Sequence, residues 1–251
     1  MITKKEIEKF SKICKEALDG ARKRYGIGTY QEKLVHMVVK AFFCDEENRE
    51  VGVGRFIADG IDKGTIYEIQ SAGFYPLKKK LLSYLDDTDM DIVVVRPIAL
   101  KRRLIWVDGE SGEMSEPKRV AGDRYKVKLL RELLWIAEIF DFSRIKIKLF
   151  FMEIDEYKVR SIKGQNKKIR ASKLDRIPKG LIDIVDIDSK ESLREALLPK
   201  SLDKQFTRAE FAKNTGLTKK GISAGLKALE ILDVVERDKT SGRPIIYNIK
   251  N

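Results

Sequence analysis

The sequence predicts an α/β protein that carries a small module of helices and a β-hairpin at its C-terminal side. Three observations predict it. Between residues 4 and 108 the apolar pattern alternates between helical and strand periods in the order helix, helix, strands, helix, strand. The run DIVVVRP at 91–97 has the continuous apolar character of a strand buried on both faces. Beyond Pro199, two capped helix patterns are followed by two short strands around a polar, Gly-containing loop. A chain of 251 residues with 43% apolar content is long enough to build real cores.

Each element follows from its residues. Ile7, Phe10, Ile13, Cys14 and Leu18 recur at helical spacing and predict a helix over 4–23. After the glycines Gly26 and Gly28, a second helix is expected over 30–43, with Leu34, Val35, Val38 and Phe42 inward. Residues 50–61 and 65–70 read as strands, with Gly64 in the turn between them. Pro76 opens a helix to about residue 85. Residues 91–97 and 101–108 are expected as two further strands. A long helix is expected over 123–140, where Leu129, Leu130, Leu133, Leu134 and Ile136 cluster, with strands at 145–154 and 181–187. These elements divide into regions 1–120, 121–198 and 199–251.

Charge narrows the partner. Lys and Arg number 51 against 39 Asp and Glu, a net charge of +12, which favours a polyanion such as DNA. Residues 144–176 hold 11 basic and 4 acidic side chains, and residues 199–251 hold 11 and 6. The first segment is either a solvated β-hairpin or an arm against DNA. Cys14 and Cys44 have no metal spacing and are expected to be reduced, which fits the cytoplasm. No signal-peptide core and no apolar stretch of membrane-spanning length is visible. A single histidine, His36, disfavours His-metal clusters and Ser-His triads, and neither a dinucleotide nor a P-loop glycine motif occurs.

At the C-terminal side, Thr207 and Glu210 form a capping box, Thr215-Gly216-Leu217 makes a tight turn, and Thr218 caps a helix of about residues 219–232. Strands over 234–237 and 244–249 flank the loop 238–243. The arrangement resembles a winged helix-turn-helix. Its recognition helix would offer Thr218, Lys219, Lys220, Ser223 and Lys227 to duplex DNA, and its wing Arg237, Lys239 and Arg243 to phosphates.

In the N-terminal region, Asp59 closes one strand and Glu68 and Gln70 share a face of the next, so Asp59 and Glu68 lie side by side if the strands pair. Two carboxylates together repel, and a hard divalent cation relieves the cost. The alternative is that both acids pair with Arg55 or nearby lysines at a sheet edge. The order of elements and acids is similar to the PD-(D/E)XK nuclease superfamily, whose core is a restriction-endonuclease-like mixed sheet flanked by helices. Asp59 matches the family's strand Asp, Glu68-Ile69-Gln70 its (D/E)-X-K, and Glu32 its helix Glu; the Glu-X-Gln form is most similar to the CoiA-like branch. The resemblance implies Mg²⁺ or Mn²⁺ held by Glu32, Asp59 and Glu68. Gln70 replaces the usual Lys, which leaves Gln70 to position water and Lys80 as the surrogate cation. Lys80 and Tyr84 have the spacing of the QxxxY element of RecB-type nucleases, with Lys in place of Gln. His36, one turn beyond Glu32, is either a partner in the site or a packing residue.

The expected function is therefore a metal-dependent DNA endonuclease, compatible with a homodimer because double-strand cutting with one site per chain needs two chains. The alternative is a non-catalytic winged-helix regulator whose N-terminal region senses a ligand or dimerises. An RNA-processing nuclease is the weaker third reading.

Overall fold

The computed structural model describes residues 2–25, 33–163 and 168–250; side chains are described outside 20–33 and 160–174. Helices α1 (Lys4–Tyr25) and α2 (Lys33–Phe43) precede strands β1 (Arg49–Val53), β2 (Phe56–Asp62) and β3 (Thr65–Ile69). Helix α3 (Leu77–Asp87) leads to β4 (Asp91–Asp108) and the short β5 (Lys118–Val120). Helix α4 (Tyr125–Glu132), two 3₁₀ turns (Leu133–Trp135, Ala137–Ile139), β6 (Ile145–Lys163) and β7 (Lys168–Ile187) follow. One mixed seven-stranded sheet has the order β1-β2-β3-β4-β6-β7, with β5 on β4. Strands β3, β4 and β6 are parallel neighbours, and the other pairings are antiparallel. The sheet thus joins strands on both sides of residue 120.

The expected buried run explains the layering. Successive residues of a strand face opposite sides, so β4 sends Ile92 and Val94 to one core and Val93 and Val95 to another. Strand β6 does the same with Leu149 and Phe151 against Phe150 and Met152. One face is covered by α1 and α2, through Phe10, Leu34, Val38 and Phe42. The other is covered by α3 and α4, through Leu77, Leu81, Leu129, Leu130 and Leu133.

Several expected boundaries move. Residues 50–61 split into β1 and β2 at a turn where Gly54 adopts φ 55°, a backbone region that favours glycine. The two strands expected at 91–97 and 101–108 are one strand, with only a bulge between Ala99 and Lys101, because β6 pairs with it along its whole length. The helix expected over 123–140 ends at Glu132 and continues as 3₁₀ turns. Its residues Leu129, Leu130, Leu133, Ile136, Ala137 and Phe140 are all buried. The segment from 133 onward is apolar on too many sides for one amphipathic stripe to bury it. The basic stretch at 156–176 belongs to the long β6–β7 hairpin, whose central residues fall outside the described part.

Helix α5 (Lys190–Leu197) then leads to β8 (Gln205–Thr207), α6 (Arg208–Thr215), α7 (Lys219–Ile231), β9 (Val235–Arg237) and β10 (Ile246–Ile249). The three strands form a second, antiparallel sheet of order β8-β10-β9. Thr207 and Glu210 make the capping box of α6, and Thr218 caps α7. Gly216 takes φ 67° in the turn between them. Helix α7 packs through Ile222, Leu226 and Leu229 in the same apolar cluster as Leu129, Leu130 and Leu133 of the large sheet's cover. Arg124 donates to the Gly216 carbonyl at 3.3 Å, and Lys190 reaches Asp233 at 2.6 Å.

Candidate functional site

Strands β2 and β3 pair from Asp62/Thr65 to Gly60/Tyr67. There the backbone ladder gives way to a side chain, because the Ile69 amide donates to Asp59 Oδ2 at 2.7 Å. The other neighbours of Asp59 come from α2. His36 Nε2 lies 3.3 Å from Oδ2 and Lys40 Nζ 3.2 Å from Oδ1, and Lys40 also pairs with Glu50. Burial pushes the Asp59 carboxyl up, but the His36 contact, the Ile69 amide and the Lys40 charge outweigh it and hold the group down to about 2.

Glu68, on the adjacent strand, is 3% exposed. Both its oxygens are engaged from α3: Lys80 Nζ donates to the carboxylate at 2.8 Å and Tyr84 Oη at 2.7 Å. The spacing of these two residues is the helical reason they meet one target, since positions four apart share a face. Burial pushes the Glu68 carboxyl above its ordinary value despite Lys80 and Tyr84, and the Asp59 charge adds to the rise. Burial and the Glu68 charge likewise raise the Tyr84 phenol. The two acids therefore sense each other while each is held by a different helix.

Gln70 lies just past β3. Its Nε2 donates to the Gly73 carbonyl at 2.7 Å, closing the turn that follows, and its backbone carbonyl accepts from Arg96 at 3.0 Å. Arg96 also holds the Ala72 carbonyl and pairs with Glu132 at 3.2 Å. Burial lowers the Arg96 pKa and raises that of Glu132, each opposed by its partner. Glu32 lies outside the described residues.

Asp59 and Glu68 supply hard oxygen donors of the kind Mg²⁺ takes, usually one or two carboxylates. As arranged, every one of their four oxygens has a protein partner, so an ion would have to displace Lys80, His36 or Lys40 from them. Among the described residues no three His, Cys, Asp or Glu side chains converge as a ready-made metal cluster. Lys40 and Arg96 escaped the sequence reading. Lys40 was findable, because it stands one turn beyond His36 on the same helix face. Arg96 carried a weaker signal, a lone charge ending a buried strand.

Residues of the C-terminal module lie apart from this cluster in the sequence and present a polar face. Thr218, Lys219, Lys220, Ser223 and Lys227 are all exposed on α7, opposite its buried Ile222, Leu226 and Leu229. Arg237, Lys239 and Arg243 are exposed around the β9–β10 loop. Ser223 accepts from Arg208 of α6, which adds another cation to this face.

The fold and the acid pair define the class: an α/β protein with a mixed seven-stranded sheet and a smaller three-stranded antiparallel sheet beside it. The model of a family described as a domain of unknown function, DUF8091, matches residues 33–188, which include the whole large sheet, and the chain belongs to that family. No curated protein and no solved structure matches the chain. No described helix is long and apolar enough to cross a membrane.

Proposed function

We propose that the protein is a metal-dependent DNA endonuclease of the PD-(D/E)XK type, with duplex DNA held by a C-terminal winged helix. The observation that carries the reading is Lys80 on Glu68. The position that the resemblance leaves without a lysine, Gln70, is answered by an ammonium from α3, at 2.8 Å from the acid. Asp59 on the neighbouring strand, the mixed sheet and the flanking helices agree with the same family core. In this reading Asp59 and Glu68, with Glu32, would hold Mg²⁺ or Mn²⁺, which would supply a water activated for attack on phosphorus and charge stabilisation for the leaving oxygen. Lys80, at 2.8 Å from Glu68, would orient the attacking water and balance charge. Gln70, whose side chain donates to the Gly73 carbonyl, would leave that bond to position water. The exposed cations of α7 and of the β9–β10 loop bind the phosphate backbone.

The test is cleavage of plasmid, linear, branched and single-stranded DNA with Mg²⁺ or Mn²⁺, comparing wild type with Glu68→Ala and Lys80→Ala. Metal-dependent cutting that disappears in both variants is expected. Cutting unaffected by Glu68→Ala would sink the assignment of the site.

A second reading, the non-catalytic regulator, is favoured by one specific observation: each oxygen of Asp59 and Glu68 already has a protein partner. Tight duplex binding without cleavage on any substrate would select it.

A further inference from the structure

Strands β4, β6 and β7 run on past the end of β3, and the parallel strands β3, β4 and β6 end their shared stretch beside a cavity of about 250 Å³. Crevices outside the carboxyl ends of parallel strands are where open α/β sheets take ligands. Neither Asp59 nor Glu68, nor any of the side chains that hold them, lines this cavity, and Arg96 on its wall holds the turn 70–73. Ser71 comes from the turn after β3, Arg102 from β4, Asp123 from the segment before α4, Lys128 from α4, Glu156 from β6 and Arg176 from β7.

The charges are loosely matched. Glu156, with a side chain only 4% exposed, stands 3.7 Å from Arg102 and 3.6 Å from Arg176. Asp123 stands 3.8 Å from Arg102 and 3.4 Å from Lys128. Four polar atoms of this set are buried and make no hydrogen bond among the described residues: Ser71 Oγ, Arg102 Nε, Arg176 Nε and Glu156 Oε2. Glu156 Oε2 is the oxygen in both ion pairs, whereas Ser71 Oγ, Arg102 Nε and Arg176 Nε keep hydrogen-bonding capacity that buried polar groups normally spend. Cations exceed acids on its wall by four to two once Arg96 is counted.

We infer that this cavity binds a phosphate-bearing ligand. The guanidinium groups of Arg102 and Arg176, with Ser71 beside them on the cavity wall, suit a phosphoryl group, which guanidinium geometry recognises well. Glu156 Oε2 repels the phosphoryl charge, but it accepts from a hydroxyl or amine carried beside it, as on a sugar. The chemistry is that of a nucleoside monophosphate. It has two sources: a free nucleotide, or the 5′-phosphorylated end of a DNA strand. The inference stands independently of whether Asp59 and Glu68 catalyse hydrolysis.

The experiment is calorimetric titration of the full chain without divalent metal. The probes are inorganic phosphate, a deoxynucleoside monophosphate, its nucleoside, and hairpin DNA with either a 5′-phosphate or a 5′-hydroxyl. The monophosphate is expected to bind and the nucleoside not. Arg102→Gln, Arg176→Gln and Ser71→Ala are each expected to weaken binding, the arginine variants by about tenfold or more. Ser71→Ala removes a single oxygen and keeps the test valid if an arginine variant fails to fold. Binding of the free monophosphate assigns a small-molecule ligand; binding confined to the phosphorylated hairpin assigns a DNA end. Absence of binding by every phosphate-bearing probe, or binding untouched by all three substitutions, would overturn the inference.

Discussion

Asp59 and Glu68 stand on neighbouring strands and are driven in opposite directions. Asp59 is held ionised by its partners, so its carboxylate contributes stability that is complete above the ordinary aspartate value of 3.8 and is lost as pH falls through about 2. Asp59→Asn is expected to cost about 2 kcal/mol at neutral pH. Urea denaturation at pH 7 and at pH 2.5 checks this: the gap between variant and wild type should narrow at the lower pH. Glu68 has the opposite sign. Its raised pKa means that burial of the charge opposes folding once pH exceeds the ordinary glutamate value of 4.5, and protonation relieves that cost. Glu68→Gln, which keeps an acceptor for Tyr84, is therefore expected to leave stability at pH 7 equal or higher while removing the proposed nuclease activity. A large loss of stability in urea denaturation at pH 7 would instead make Glu68 a structural residue.

The elements depend on where a backbone approaches its neighbour. Gly122, between β5 and α4, brings its Cα so close to the Leu100 carbonyl that an added methyl would collide with backbone. Gly225 of α7 faces Leu217 and the Leu130 carbonyl at 3.5 and 3.6 Å from a would-be methyl, an ordinary contact. Gly122→Ala is expected to destabilise by about 1–3 kcal/mol, as overpacking does. Gly225→Ala should be neutral or mildly stabilising, because alanine favours a helix interior by about 1 kcal/mol. Thermal melts of the two variants side by side decide it; equal losses would mean that the α4–α7 packing is tighter than these distances imply. The capping boxes of Thr207 and of Ser189 act at the same scale, since each satisfies amides that a helix start leaves open.

At the scale of the whole molecule, the apolar cluster on the α3–α4 face of the large sheet runs without interruption into the small sheet through α4 and α7. Phe206, Phe211 and Tyr247 stack within it, with ring centroids 5.6 and 5.8 Å apart. A continuous core couples the unfolding of the parts it joins. Calorimetry is expected to give one transition, and Leu129→Ala, at the shared seam, should lower it by about 2–5 kcal/mol of stability. Two separate transitions would show that the C-terminal module folds by itself. The coupling bears on the proposed function too: a DNA-binding module that packs directly on the cover of the sheet would have a fixed reach to the acid pair, where a flexibly linked one would not.

The continuous apolar run Ile92, Val93, Val94 and Val95 determined a strand buried on both faces, and the order of helical and strand periods around it determined an α/β class. Thr207, Glu210, Gly216 and Thr218 determined both helix starts and the turn between them. These are local signals: periodicity, caps and a positive φ are properties of a few adjacent residues. The acid pair was legible because Asp59 and Glu68 fall on consecutive strands joined by a short turn, and Lys80 with Tyr84 because i and i+4 share a face of a helix. The tertiary structure alone decided what those faces meet: that Lys80 reaches Glu68, that Lys40 and His36 reach Asp59, and that Gln70 closes a turn. It also decided that the segment 133–139 leaves the α-helix, and that Ser71, Arg102, Glu156 and Arg176 share one cavity. Those residues come from one turn and three strands, as far as 105 positions apart in the chain (Ser71 to Arg176). Their meeting depends on strand order and register, which long-range packing sets and no local pattern records.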